Sequence, residues 1–240
     1  MNPQPEWITV GALADGFAED NHILPAVDDL AGRRLSLHFD NHWQIEHHFA
    51  AHTLRWNNVG EAAGAELPYR ATCLRPGIYL VDFLKHEQGQ IHSVSLVLDL
   101  EQQCFSAVIG QMPSQAESSV DLFSRALAGG ELTSVKAQFL HGAIDTPVTA
   151  STPRHEPTDE LVGLRNRYIY SASEAYEHIY LNANFYSWQC LRGVEQGLAD
   201  TDRCHYYKIA EQLYLFVWRE KIVPTPVSYT HLTLPTTPYV

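Results

Sequence analysis

Tyrosines, a histidine, tryptophans and carboxylates fall at alternate positions along several segments in the second half of this chain. Tyr168 and Tyr170 are separated by one residue, so on a strand both rings leave the same face. Buried phenols need hydrogen-bond partners, and a bound carboxylate or phenolate would supply one; plain barrel packing fits the same parity. Tyr176, His178 and Tyr180 repeat the pattern. They could clamp an aromatic guest through edge and stacking contacts, or form a core around a satisfied histidine. Tyr214, Phe216, Trp218 and Glu220 share a parity opposite to Leu215, Val217 and Arg219. If the aromatic side points inward, Glu220 lies beside tryptophan in apolar space, where desolvation makes a carboxyl a usable acid or base near neutrality. Otherwise it is a strand-end glutamate facing solvent or paired with Arg219 or Lys221. Trp188 adds one more candidate ligand-binding ring.

Two further clusters have a plainer reading. His38, His42, His47, His48 and His52 crowd one hairpin, and Glu46 shares a face with His48. A carboxylate–imidazole metal site needs more ligands on one side, and adjacent His47 and His48 cannot both face one ion. The expectation is a surface hairpin of titratable histidines without a metal. Asp200, Asp202 and Arg203 follow Gly197 and read as an aspartate-rich turn held by its own side chains, or as a salt bridge at a pocket mouth.

The elements that must position these residues are strands. Period-two alternation and turn residues mark strands at 35–39, 43–49, 53–57, 69–74, 77–85, 90–98, 104–112 and 131–141. Residues 118–127 place Val120, Phe123 and Leu127 on one helical face before Gly129 and Gly130 stop the helix. The proline-bearing stretch 146–165 reads as a linker or crossing loop, and strands resume at 167–172, 175–184, 187–192, 204–209 and 213–220. The halves resemble each other. Trp56 precedes a Tyr79-centred strand as Trp188 precedes the Tyr214-centred one, which suggests duplication of one up-and-down barrel unit.

Composition narrows the function classes. The net charge is −12, with no basic run, which disfavours nucleic acid and anionic membrane surfaces. No apolar stretch is long enough to span a bilayer and no basic segment precedes an apolar run at the N-terminus, so a cytoplasmic protein is expected. Cys73, Cys104, Cys190 and Cys204 are scattered without paired spacing and read as inert thiols or small core residues. Residues 227–236, VSYTHLTLPT, match the translation of a transposase mosaic-end adapter, so 227–240 is expected to be a non-native tail.

The segments LAGRRLSLHFDNHWQIEHHF, GIYLVDFLK and YEHIYLNANFYSWQCLRGVEQGLADTDRCHYYKIAEQLYLFVWREKIVPT resemble the MoaF family, often labelled molybdenum cofactor biosynthesis protein F. The resemblance implies a lipocalin-like (calycin) barrel in each half and an association with monoamine, tyramine-type catabolism. Neither a phosphate-cradling glycine loop nor a cysteine ligand cluster supports pterin or molybdenum chemistry. The tyrosine pair and the Tyr214, Trp218 and Glu220 face are more distantly similar to the phenolic acid decarboxylases, small calycin barrels that use a tyrosine pair, an arginine and a glutamate. That similarity implies catalytic roles for Tyr168, Tyr170 and Glu220, with Arg192 or Arg203 as the arginine. The first half departs from it, with Leu37 and Phe39 at the pair and Lys85 at the glutamate.

The expectation is therefore an all-β protein of two lipocalin-like antiparallel barrel repeats with one short helix. The first spans 1–145, a linker 146–165, and a truncated second barrel 166–226. It would bind, and could transform, a small aromatic metabolite without a cofactor, through Tyr176, His178, Tyr180, Trp188, Tyr214 and Trp218. Alternatives are a cofactor-free lyase or isomerase and a structural partner protein with a filled core. An open sheet edge would allow a homodimer.

Overall fold

A computed structural model describes residues 21–59, 64, 66–87, 90–221 and 226–229. The first unit consists of β1 (Arg34–Phe39), β2 (Gln44–Phe49), β3 (Thr53–Asn58), β4 (Glu66–Arg75), β5 (Ile78–Glu87), β6 (Gln90–Asp99), β7 (Cys104–Gln111) and β8 (Lys136–Ile144). These strands pair in sequence order, antiparallel, and β1 also pairs β8 to close a barrel. Closure places Phe39 opposite Gly142. A Cβ on Gly142 would stand 2.0 Å from the His38 carbonyl oxygen and 2.6 Å from the Phe105 ring, so this seam needs glycine. Gly77, at φ 80° in the β4–β5 turn, has the left-handed backbone that glycine adopts without strain.

Alternation fills the barrel. Leu35, Leu37, Phe49, Val81, Phe83, Leu96, Leu98, Phe105 and Leu140 belong to one buried cluster inside it. At the even positions of β5, Tyr79, Val81 and Phe83 point in, while Ile78 and Leu80 join a second cluster outside the barrel.

Instead of one helix over 118–127 there are two short ones, α1 (Gln115–Ser118) and α2 (Leu122–Leu127). Each has its own cap. Ser114 and Glu117 exchange hydrogen bonds as a capping box, at 2.9 and 3.2 Å, and Asp121 accepts from the Ser124 amide at 2.9 Å. The apolar spacing found no core: Phe123 and Leu127 are more than two-thirds exposed.

The stretch 146–165 supplies β9 (Glu156–Pro157), and its Leu161 is fully buried. The second unit continues with β10 (Arg165–Ile169), β11 (Ala175–Asn182), β12 (Phe185–Arg192), β13 (Ala199–Ala210), β14 (Leu213–Arg219) and β15 (Pro226–Tyr229). Together they form a seven-stranded sheet in the order β10 to β15, with β9 paired to β13. The sheet includes Val227–Tyr229 of the segment expected to be adapter-derived; 230–240 lie outside the described residues.

Strand β14 is buried at every position because both faces are covered. Leu215 and Val217 join Ile78, Leu80, Val97 and Val108 of the barrel exterior in one cluster. Phe139 of β8 stacks on Tyr207 of β13, 5.2 Å between ring centres. Buried Arg219 reaches from β14 to Glu131, with its Nη1 and Nη2 donating to the two carboxylate oxygens at 2.6 and 2.9 Å. The Nη1 also donates to the Val135 carbonyl at 3.0 Å. A bidentate pair of this kind fixes orientation as well as distance. Among the described residues, no helix is long and apolar enough to cross a membrane.

Candidate functional site on the inner face of the second sheet

Strand register decides which side chains share the concave face. His178 of β11 lies opposite Trp188 of β12, which lies opposite Asp200 of β13. One pair along, Tyr180 faces Tyr186, and Tyr186 faces Asp202. Across the next ladder Cys204 pairs Trp218 and Tyr206 pairs Phe216. Tyr168 of β10 sits opposite Tyr176. The alternate residues of five strands therefore make one aromatic wall.

His178 lies at its centre. Its ring is 4.6 Å from Tyr168, 5.2 Å from Tyr186, and 5.9 Å from both Phe216 and Trp218. Strands β11 and β14 are separated in the sheet by β12 and β13, so the contacts to Phe216 and Trp218 span the concavity. Tyr180 makes the same crossing to Phe216 at 5.3 Å. The deep interior is filled by rings, mostly edge-on as their quadrupoles favour.

Two phenols of the wall pair with each other. The hydroxyls of Tyr168 and Tyr180 are 2.6 Å apart. Burial raises the pKa of both phenols, so they stay protonated at neutral pH. Tyr186 is likewise pushed up, first by burial and then by the neighbouring charges of Asp202 and Glu220. Toward the other end of the wall, the rings of Tyr170 and Tyr176 are 5.6 Å apart, and Tyr176 and Trp188 6.1 Å. The Tyr176 hydroxyl donates to Glu195 at 2.8 Å.

Two carboxylates sit beside this aromatic surface. Asp202 accepts from the Trp188 indole at 3.1 Å and is 3.6 Å from the Lys221 ammonium, which also pairs with Asp200. Its pKa is raised because burial outweighs the lysine. Glu220 is half-buried and accepts from the Trp218 indole at 3.2 Å. Both tryptophan N–H groups thus point at acids, an arrangement that anchors the rings and concentrates negative potential at their edges.

The predicted residues separate into two groups. Tyr168, Tyr170, Tyr176, His178, Tyr180, Trp188, Trp218 and Glu220 come together at the wall and its rim. Arg192 is exposed, with its Nη2 donating to the Ser171 carbonyl at 3.4 Å. Tyr214 lies at the opposite end of β14, where its hydroxyl donates to Glu160 at 2.6 Å, and burial together with that acid raises it to about 12. Residues 199–203 are strand rather than turn, and Asp200 pairs with Lys221. The sequence reading passed over Tyr186 and placed Asp202 in a turn, although Asp202 shares parity with Cys204 and Tyr206.

The histidine hairpin also needs correction. His47 points into the first barrel, stacks near Phe49 at 6.3 Å, and has its Nδ1 3.3 Å from the Ile45 carbonyl. Burial lowers its pKa to about 4. Its cross-strand partner is Trp56, just as His178 faces Trp188. The dipeptides Glu46-His47 and Glu177-His178 carry the same signal in sequence, and alternation then turns each histidine inward.

Two clefts open on other surfaces. One of about 280 Å³ lies between residues 129–133 and Phe185, Thr201, Arg203 and Lys221. Another of about 170 Å³ lies beside Pro157–Asp159 and His205–Tyr207.

Comparison with known proteins places this geometry in a family. Residues 5–114 match the MoaF N-terminal domain and 155–233 the MoaF C-terminal domain. Protein MoaF of Klebsiella aerogenes is 44% identical over 229 residues, covering 94% of this chain and 82% of that protein.

Proposed function

This chain belongs to the MoaF family, and we propose that its second sheet binds a small aromatic metabolite, a phenol or a monoamine-derived compound, against the wall built on Trp188, Trp218, Tyr170 and Tyr176. The supporting observation is the pairing of both tryptophan indoles with carboxylates, Trp188 with Asp202 and Trp218 with Glu220, at the border of an otherwise aromatic face. A guest ring would lie against the half-buried Trp188, Tyr170 and Tyr176 at the rim, beyond the filled floor of His178, Phe216 and Trp218, with the Trp218 indole holding Glu220 beside it. A hydroxyl or ammonium on the guest would be recognised by Glu220 or Asp202, and an ammonium would gain further from the ring faces.

Binding is favoured over the lyase reading by the state of the polar groups. The Tyr168 hydroxyl is already engaged by Tyr180, and Arg192 is exposed at the strand end. A hydroxycinnamate-decarboxylating site needs those groups free to converge on one carboxylate. Thermal-shift screening of phenols and arylalkylamines tests the proposal, because a ligand that binds only the native state raises the unfolding temperature. A stabilising compound whose effect disappears in Trp218→Ala supports it; no stabilisation by any member of either class overturns it. Turnover of a hydroxycinnamate that is lost in Glu220→Gln, with the fold intact, would instead restore the lyase.

A further inference from the structure

A second constellation lies away from the aromatic wall, where the stretch after β8 packs on the first barrel. Asp99 at the end of β6, Cys104 at the start of β7 and His155 just before β9 are each about 98% or more buried. Their potential ligand atoms all lie within 4.8 Å of one another. The Cys104 Sγ and His155 Nε2 are 3.6 Å apart. Two such ligands on one tetrahedral zinc ion, with bonds of about 2.3 and 2.0 Å, are separated by roughly 3.5 Å.

The surroundings prepare the histidine for this role. His155 Nδ1 is 2.8 Å from the Ser106 hydroxyl, whose oxygen is also 2.8 Å from His141 Nδ1. With the His155 Nδ1–H donating to Ser106 and the Ser106 hydroxyl donating to His141, the His155 Nε2 lone pair is left facing the thiol. A metal-bound histidine is oriented by its other nitrogen in the same way. Asp99 is held by the Glu101 and Gln102 amides at 3.1 and 2.8 Å, so its carboxylate is fixed before any ion arrives.

We propose that Asp99, Cys104 and His155 form a binding site for one zinc-class divalent cation, which pins the inter-unit segment to the first barrel. Charge supports the choice. One thiolate, one carboxylate and a neutral imidazole around a divalent ion sum to zero, the only total that a site this deeply buried tolerates cheaply. A thiolate with an imidazole selects zinc, or cobalt as its spectroscopic substitute, over calcium or magnesium. Binding releases the cysteine proton to solvent, and a water completes four-coordination. Sequence spacing hides the site, because His155 is 51 positions from Cys104.

The test uses the full chain. The protein is purified without chelator, its metal content measured, and the metal-stripped form titrated with cobalt(II) and zinc(II). The expected result is one equivalent of metal and a thiolate-to-cobalt charge-transfer band that zinc removes. Cys104→Ser should abolish the band, and Ser106→Ala should weaken zinc binding by about 10- to 100-fold. A folded wild-type chain that binds no metal and gives no band overturns the proposal, leaving an S–H···N hydrogen bond. So does binding that survives Cys104→Ser unchanged. The wild-type spectrum decides the matter even if Cys104→Ser fails to fold.

Discussion

The two units are both antiparallel sheets of largely sequential strands, one closed and one open, and they are filled with different chemistry. In the closed barrel, Leu37 and Phe39 occupy the inward positions of the first strand; in the second sheet Tyr168 takes that role, with Tyr170 beyond it. Each unit then turns a histidine inward opposite a tryptophan, His47 with Trp56 and His178 with Trp188. Beside His47 lie Phe49 and, across the strand pair, Leu35, whereas around His178 the neighbours are Tyr168, Tyr180, Tyr186 and Trp218. The barrel also turns Tyr79 and Trp56 inward, but most of its lining is aliphatic or phenylalanine, whereas the second sheet gathers tyrosine hydroxyls and two indole N–H groups paired with acids on its inner face.

Substitutions that touch one unit and not the other are the way to break this comparison. The largest effect is expected from Phe105→Ala, which empties a fully buried ring position in the first barrel and should cost about 3–5 kcal/mol. Urea unfolding would measure it, and affinity for any aromatic guest should stay within about twofold of wild type. Phe216→Ala should cost a similar amount but also loosen the wall around His178, so that guest affinity falls with stability.

Acid is the next probe, and it acts on both units. Folding lowers the pKa of His47 from 6.5 to about 4, so the unfolded chain binds the extra proton between those values. The stability this neutral histidine confers is complete above pH 6.5 and disappears as pH falls toward 4, by on the order of 2–4 kcal/mol. His205, at the interface and also lowered to about 4, acts in the same direction. Asp82 opposes them. Its pKa is raised to about 6 by burial, so its contribution is present below pH 3.8 and is lost as pH rises through 6. His47→Phe should flatten the acid limb of a stability–pH curve measured by urea unfolding, and an unchanged limb would remove His47 from the account.

Smaller effects probe the wall. Tyr180→Phe leaves the buried Tyr168 hydroxyl without its 2.6 Å partner and should destabilise by about 1–3 kcal/mol. Asp202→Asn keeps an acceptor for the Trp188 indole while removing a buried charge, so stability should change by less than about 1 kcal/mol. Its thermal midpoint should barely move, while affinity for a cationic guest drops.

Most of the fold was legible because a strand has a period of two, and one face of nearly every strand meets a core. Alternation put Tyr168 with Tyr170, His178 with Tyr176 and Tyr180, and Trp218 with Tyr214 and Phe216 on common faces, and left open which face is inside. What parity cannot supply is distance across the sheet. That rings from β11 and β14 meet over the concavity, closing its floor, follows from curvature and strand order. Asp202 was read as a turn because aspartates near glycine usually make one; here cross-strand pairing with Tyr186 overrides that tendency. The apolar face of 118–127 misled in the opposite sense, since local caps at Ser114 and Asp121 set the helix limits and no core waits for Phe123. His47 was readable by setting the two Glu-His dipeptides side by side.

The most direct test of the central claim is a calorimetric titration with a stabilising phenol or arylalkylamine, run on wild type, Trp188→Ala, Trp218→Ala and the first-barrel variant Phe83→Ala. The account predicts at least a tenfold loss of affinity in both tryptophan variants and wild-type affinity in Phe83→Ala. Equal affinity in all four proteins, or a loss confined to Phe83→Ala, would contradict it.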